Sequence, residues 1–281
     1  MGAIISRFAP APTGFLHLGH VVNALYVWET ADRVLLRIED HDRQRSRREF
    51  EAAIFEDLDW LGFVADAPAV RQSERGDIYS QALETLRRQA IVYACSCSRR
   101  RPPSLPDGAE VGGRDGGRES CYPGTCRDRG LAEAPGAGLR VRLEPSVERF
   151  VDLRHGPQEQ RPSEQCGDLL IRDREGNWTY QFAVTVDDHV QGVTHVIRGD
   201  DLLESTGRQI QLARLLGRRE PPQFLHHPLI MKAATQKLSK SDGDSGVRDL
   251  RARGWTPAQV IARAKELTER TERTGSRGET E

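Results

Sequence analysis

The chain has 281 residues, with 41 basic against 42 acidic side chains and a formal net charge of −1. That length carries a large core, and the charge balance excludes a protein that coats nucleic acid by bulk charge while leaving room for a local basic groove. No run of eighteen apolar residues offers a membrane-spanning helix, and no charged-then-apolar signal region is expected at the N-terminus.

Ile4 to Phe8 reads as a short apolar strand, broken by Pro10, Pro12 and Gly14. From Leu18 to Ala31, apolar residues at 18, 21, 22, 25 and 28 recur at helical spacing. Val34 to Ile38 is a second apolar run that ends in Glu39 and Asp40. Strand, helix and strand with short links predict the parallel crossover of an α/β fold. Helices are expected around Phe50 to Leu58 and from Ile78 to Leu86. Composition then shifts near residue 93. Five prolines and nine glycines between 102 and 138 predict a loop-rich insertion, closed by short strands at 139–143 and 150–153.

Beyond the insertion, Leu169 to Arg172 and Trp178 to Phe182 read as a hairpin around the turn 174–177. Thr194 to Ile197 predicts a strand, Leu202 to Leu216 a helix stopped by Gly217, and Phe224 to Met231 a further strand. The tail from Gly246 reads as two short helices followed by a disordered end over 268–281.

Three sequence features carry chemistry. The first is Arg7-Phe-Ala-Pro-Ala-Pro-Thr-Gly-Phe-Leu-His-Leu-Gly-His20, where a strand gives way to a Pro/Gly loop and two histidines flank a glycine at a helix start. Backbone N–H groups and the helix dipole make such an N-terminus a phosphate site. Histidines there can donate to phosphoryl oxygens, and Gly19 allows close approach. Taken alone, His-x-x-His is ordinarily just a capped helix. The second is Lys237-Leu-Ser-Lys-Ser241. Only four of the 41 basic residues are lysines, and Lys232, Lys237 and Lys240 fall within nine positions. Two lysines three apart on a loop suit a clamp on a triphosphate, although alone they are a solvated basic loop.

The third is a set of cysteines. Cys95, Cys97, Cys121 and Cys126 cluster within 32 residues, while Cys166 stands apart and reads as structural. An odd total without an export signal points to a reducing, cytoplasmic setting and a metal site rather than disulfides. Four thiolates would make an ordinary zinc site. Free thiols in a loop are the plainer alternative.

His17-Leu-Gly-His20 and Lys237-Leu-Ser-Lys-Ser241 together resemble the HIGH and KMSKS signatures of class I aminoacyl-tRNA synthetases, each with one hydrophobic swap. Further stretches resemble the glutamyl/glutaminyl branch. These are Arg7 to Gly14, Arg37-Ile-Glu-Asp40, Val186-Asp-Asp-His189, Gly192-Val-Thr-His195 and Ile197-Arg-Gly-Asp-Asp201. The resemblance spans residues 4 to about 265.

It implies an α/β fold: a Rossmann-like parallel sheet from 1–92 and 168–245, an inserted zinc-binding subdomain over 93–167, and a short helical segment over 246–281. With about forty residues after Ser241, the chain resembles the short paralogues of that branch. These attach glutamate to queuosine in the anticodon of tRNA(Asp) without an anticodon-binding domain. A truncated conventional glutamyl-tRNA synthetase and a non-catalytic tRNA- or nucleotide-binding paralogue remain as alternatives.

The resemblance also assigns roles. Arg7, Phe8, Ala9, Pro10, Ala11, Glu39, Tyr180 and Arg198 would bind glutamate, with both arginines on carboxylates and Glu39 on the ammonium. His17, Gly19, His20 and Lys240 would bind ATP, which brings Mg²⁺. His17, His20, Lys237 and Lys240 would be catalytic. One structural zinc would sit on Cys95, Cys97, Tyr122 and Cys126, with Tyr122 in place of Cys121. The enzyme is expected to act as a monomer.

Overall fold

The structure is a computed structural model that describes residues 2–97, 121–233, 236–237 and 246–275. Strand β1 (Ile5–Phe8) pairs in parallel with β2 (Arg33–Ile38), and β2 with the short β3 (Val70–Arg71). Helix α1 (Leu18–Thr30) makes the crossover between β1 and β2. Its residues Leu18, Val21, Val22 and Leu25 are buried at the spacing the sequence predicts, while at the end of that series Trp28 is half-buried and Val27 beside it is buried. Helix α2 (Arg48–Leu61) follows β2, and α3 (Gly76–Arg87) follows β3.

After α3 come β4 (Val92–Cys95), β5 (Gly138–Val141), β6 (Glu148–Asp152) and β7 (Gly156–Gln160). The one-turn α4 (Pro162–Gln165) then leads to β8 (Leu169–Arg172). The antiparallel sheet β4-β5-β8 forms the body of the insertion region. The hairpin β6–β7 goes elsewhere. β6 pairs in parallel with β10 (Gln223–His227), which pairs in parallel with β9 (His195–Gly199). β9 lies beside β1, where the Thr194 N–H donates to the Ile5 carbonyl at 2.9 Å. The carboxyl ends of β1, β2 and β9 therefore come together, which is where open parallel sheets bind ligands.

The predicted strand over Trp178–Phe182 is corrected. Residues 173–177 do form a turn, but Trp178 makes a single bridge to Arg172 and helix α5 (Tyr180–Val190) starts two residues later. The apolar stretch after it is a buried helix, with Phe182 to Val186 all buried. The predicted helix from Leu202 is likewise corrected. It opens as a 3₁₀ stretch over Asp200–Ser205 and becomes α6 only over Thr206–Leu215, with Gly217 beyond it at φ +96°. The strand expected over 224–231 stops at His227, and β11 (Met231–Ala233) is a separate piece paired with β12 (Gln236–Lys237).

Two helices close the structure, α7 (Val247–Ala252) and α8 (Pro257–Gly275). The tail expected to be disordered from 268 is helical to 275. The side-chain pairs Arg263–Glu266 and Glu269–Arg273 lie along that helix, and Val260 and Ala264 are fully buried. Residues 276–281, like the proline- and glycine-rich part of the insertion at 98–120, lie outside the described residues. Among the described residues, no helix is long and apolar enough to cross a membrane.

The loop at 121–126 is stitched to the strap before β8. The Tyr122 N–H donates to the Cys166 carbonyl at 2.9 Å, and Tyr122 bridges Gly167. Gly167 has φ +66°, and a Cβ there would lie 2.0 Å from the Tyr122 carbonyl oxygen. Gly130 has a similar φ, +58°, with nothing within 4 Å. Gly130→Ala should cost only the backbone strain, about 1–2 kcal/mol. Gly167→Ala should cost clearly more, because the Tyr122 loop must move. Urea unfolding of both variants checks this, and equal losses would show that the bridge is not tight.

Candidate functional site

Arg7 ends β1 with its side chain buried. Its Nε donates to Asp188 Oδ1 at 2.9 Å and its Nη1 to the Ile197 carbonyl at 3.2 Å. Three of its five N–H groups have no partner among the described residues. Arg37, on β2, is fully buried and reaches Asp188 at 2.7 Å, Gln191 at 2.9 Å and Glu39 at 3.3 Å. Asp187, one residue along α5, accepts from Arg75 at 2.6 Å and from Gln72 and Tyr79 at 2.8 Å each.

These carboxylates escaped functional assignment at the level of sequence, as did Arg37. Their signal was two adjacent acids ending an apolar helical run. Burial acts to raise the Asp188 carboxyl, but the Arg7 and Arg37 guanidinium groups overcome it and hold it below the usual range.

Glu39 is buried beside them, and burial pushes its carboxyl up despite Arg37, His41 and Arg7. A substrate ammonium at that place would favour the charged form. Tyr180 opens α5, and burial, with the Glu39 carboxylate next, pushes its hydroxyl up to about 12. The phenol therefore stays a hydrogen-bond donor at neutral pH. Phe8 faces the core, packed against Trp28 at 5.6 Å. Its backbone is what is left to face a ligand, and Ala9 and Ala11 beyond it are half-buried. That loop is pinned where the Glu39 N–H donates to the Pro10 carbonyl at 3.0 Å.

Arg198, at the end of β9, is engaged more fully. Its Nε donates to His226 Nε2 at 3.0 Å, Nη1 to Gln209 at 2.6 Å, and Nη2 to Thr206 at 2.8 Å and the Leu202 carbonyl at 3.2 Å. Among the described residues one N–H is left over, so Arg198 offers a single prong and Arg7 the open fork. His226 is fully buried, and its Nδ1 meets Asp152 Oδ2 at 2.7 Å. Burial and the Arg198 guanidinium push this imidazole well below its usual range, so Nδ1 carries the proton and Nε2 accepts.

His17 and His20 cap α1 reciprocally. His17 Nδ1 accepts from the Gly19 N–H, and His20 Nδ1 accepts from the His17 N–H, both at 3.1 Å. With Nδ1 as acceptor, Nε2 carries the hydrogen in each neutral ring. The rings are 4.0 Å apart, and a Cβ at Gly19 would sit 2.9 Å from the His17 ring. Gly246 bridges His17, and the Val247 N–H donates to the Leu16 carbonyl at 2.9 Å. The chain thus returns from the lysine loop against the two histidines. Lys240 and Ser241 lie outside the described residues, and Lys237 is described by its backbone in β12.

A groove of about 650 Å³ opens beside the Pro12 loop, lined by Arg43, Arg47, Arg48 and Arg71 together with Asp40 and Glu51.

The cysteine cluster lies apart from this sheet end. The Cys97 and Cys126 sulfurs are 3.6 Å apart, and the three sulfurs of Cys95, Cys97 and Cys126 lie within 4.8 Å of one another. Tetrahedral zinc with bonds of about 2.3 Å would set sulfurs roughly 3.8 Å apart, so the set fits that ion. The Tyr122 hydroxyl is 3.5 Å from Cys95 Sγ and accepts the Cys126 N–H at 2.8 Å. Cys121 is exposed, with its sulfur toward the Ser163 carbonyl at 3.9 Å. Cys166 is buried, with its sulfur 3.2 Å from the Pro162 carbonyl.

The buried ion cluster predicts a stability effect. Asp187→Ala would strand the Arg75 guanidinium and the buried Gln72 and Tyr79 donors, and should lower the unfolding free energy by about 3–5 kcal/mol. Denaturant titration reads this, and a loss below about 1 kcal/mol would contradict it.

Comparison with known proteins agrees with this geometry. Residues 3–267 match the family model of class I tRNA synthetases (E and Q), catalytic domain. The chain is 40% identical over 273 residues to a glutamyl-Q tRNA(Asp) synthetase of Rhodobacter capsulatus, covering 92% of this chain and 98% of that one. It is 41% identical over 267 residues to glutamate–tRNA ligase 1 of Xanthobacter autotrophicus, spanning 56% of the ligase. The crystal structure of a glutamate tRNA ligase from Elizabethkingia meningosepticum, in complex with its amino acid, superposes with a TM-score of 0.70 at 31% identity. That match covers 86% of this chain and 53% of the ligase, so the chain spans about half the length of such ligases. With the parallel sheet, the doubly capped helix and the buried arginines in their places, the chain belongs to the class I tRNA synthetases of the glutamate and glutamine branch.

Proposed function

We propose that the protein activates glutamate with ATP and passes the glutamyl group to a hydroxyl of queuosine in the anticodon of tRNA(Asp). The carrying observation is the convergence of Arg7, Glu39, Tyr180 and Arg198 at the carboxyl ends of β1, β2 and β9 and the start of α5. That arrangement offers guanidinium groups for carboxylates and a carboxylate for the ammonium. The match over 98% of the Rhodobacter relative supports queuosine as acceptor.

In the first step a glutamate carboxylate oxygen attacks the α-phosphorus of ATP, and pyrophosphate leaves. No side-chain nucleophile is needed, so catalysis rests on alignment and charge stabilisation. Arg7 grips a carboxylate with its open fork, Arg198 adds one hydrogen bond, and Glu39 takes the ammonium. His17 and His20 donate from Nε2 to phosphate oxygens at the α1 N-terminus, beside Gly19. Lys240, with Lys237, neutralises charge moving onto pyrophosphate, and Mg²⁺ accompanies ATP. In the second step a ring hydroxyl attacks the acyl carbon and AMP leaves.

The catalytic unit comprises 1–92 and 168–245. The segment 93–167 is the inserted subdomain, where zinc on Cys95, Cys97, Tyr122 and Cys126 would be structural, and 246–281 is the helical segment. The arginine-lined groove offers contacts for the nucleic-acid backbone. The protein works as a cytoplasmic monomer.

Glutamate-dependent exchange of pyrophosphate into ATP should proceed without tRNA, and labelled glutamate should then appear on tRNA(Asp) only when queuosine is present. Charging of tRNA(Glu) at its 3′ end instead would identify a conventional glutamyl enzyme. Lys240→Ala should lower the exchange rate by about 10²–10³, roughly 2.7–4 kcal/mol, with a much smaller change in the Michaelis constant for ATP. A change confined to that Michaelis constant would make the loop a ground-state anchor.

A further inference from the structure

Arg140 lies on β5, and its guanidinium touches the cysteine cluster in two ways and is anchored by a third contact. It lies over the Tyr122 ring, 3.6 Å from the centroid. Its Nε donates to Cys95 Sγ at 3.4 Å. Its Nη1 donates to the Asp168 main-chain carbonyl at 2.6 Å.

The anchor is itself held firmly. The Asp168 carboxylate is buried and accepts from Tyr93 at 2.6 Å, from Arg127 Nε at 2.7 Å and from the Leu143 N–H at 3.0 Å. Asp168 therefore balances Arg127 and leaves Arg140 to the cluster. Among the described residues, Arg140 is the cation set directly against two of the donor residues, Tyr122 and Cys95.

The charge count shows why a cation belongs there. Three thiolates and a phenolate around a divalent ion leave a surplus of two negative charges in a partly buried place. Such a surplus is costly unless a neighbour offsets it. A planar guanidinium can lie on a ring and donate in its own plane at the same time, which an ammonium cannot do. One side chain thus orients the Tyr122 ring and the Cys95 sulfur together. Outer partners of this kind set ligand direction and metal retention.

We propose that Arg140 is the positioning residue of the metal centre, offsetting one surplus charge and fixing Tyr122 and Cys95 in their ligand directions. This rests on the zinc reading given above. It assigns Arg140 no contact with glutamate, ATP or the acceptor.

The test uses the full chain, purified with zinc, as wild type, Arg140→Ala, Arg140→Lys and Arg142→Ala. Arg142 is the control, because it binds the Arg127 carbonyl and Asp128 rather than the cluster. Zinc content is read by elemental analysis. Zinc release to excess chelator is followed with a metallochromic dye, and the cobalt-substituted proteins are compared by their absorption spectra. Wild type and Arg142→Ala should hold one zinc and release it at the same slow rate. Arg140→Ala should release zinc about 10–100-fold faster, with shifted cobalt bands. Arg140→Lys should fall between, since it keeps the charge and loses the flat contact, and it carries the test if Arg140→Ala does not fold. Wild-type release and spectra in both Arg140 variants would overturn the proposal while leaving the zinc reading intact, and so would equal acceleration in Arg142→Ala. A wild-type protein that retains no zinc would remove the zinc reading, and the proposal with it.

Discussion

Two neighbouring carboxylates on α5 hold the centre of this molecule together. Successive residues on a helix point about 100° apart, following from 3.6 residues per turn, so Asp187 and Asp188 serve different neighbours. Asp187 reaches Gln72, Arg75 and Tyr79, and ties α5 to α3 and the segment after β3. Asp188 takes Arg7 from β1 and Arg37 from β2. Without this pair, buried guanidinium groups would face one another at the sheet's carboxyl end. Ion clusters in a core seldom stabilise more than apolar residues of the same volume would. Their retention here follows from what they hold in place: an arginine with an open fork beside a buried glutamate.

The pocket separates its two arginines by how much hydrogen-bonding capacity the protein itself consumes. Arg7 spends two N–H groups on the protein, and Arg198 spends four. A sequence shows both as arginines at strand ends and gives no hint of this asymmetry. A ligand carboxylate would be gripped mainly by Arg7, while Arg198 acts as a fixed wall with one donor. The pocket's polarity is also asymmetric. Glu39 sits where burial disfavours its charge, and a cation arriving with the substrate would offset that cost.

Much of the first crossover was legible in the sequence because its signals are local. The spacing of Leu18, Val21, Val22 and Leu25 places α1, and His17-Leu-Gly-His20 marks its start. Elements that depend on distant partners were harder to read. Trp178 to Phe182 alternates like a strand, and the helix forms because Tyr79 and Trp178 surround Phe182 in a second core. β6 buries Glu148 and Asp152 and exposes Val151, the reverse of the usual pattern, so periodicity undervalues it. α8 is polar along most of its length, and its last part, 268–275, reads from polarity alone as disordered. Among the proposed site residues, the family motifs contain Arg7, Glu39 and Arg198, and the resemblance adds Tyr180. Asp187, Asp188, His226 and Asp152 act through other side chains, and only the three-dimensional arrangement shows what they touch.

β6 links the insertion to the chemistry. The segment between β4 and β8 carries Tyr122 and Cys126 at one end and Asp152 further along. Asp152 Oδ2 accepts both the His226 N–H at 3.1 Å and its Nδ1–H at 2.7 Å. That fixes the tautomer, which makes Nε2 an acceptor for Arg198 Nε. Rotating the imidazole or moving β6 would strand a buried guanidinium donor, an error worth more than an ordinary surface contact. The insertion therefore cannot be a detachable appendage on a self-sufficient sheet. Its hairpin completes the sheet at β10, and one of its acids sets the direction of an arginine at the carboxyl end of β9.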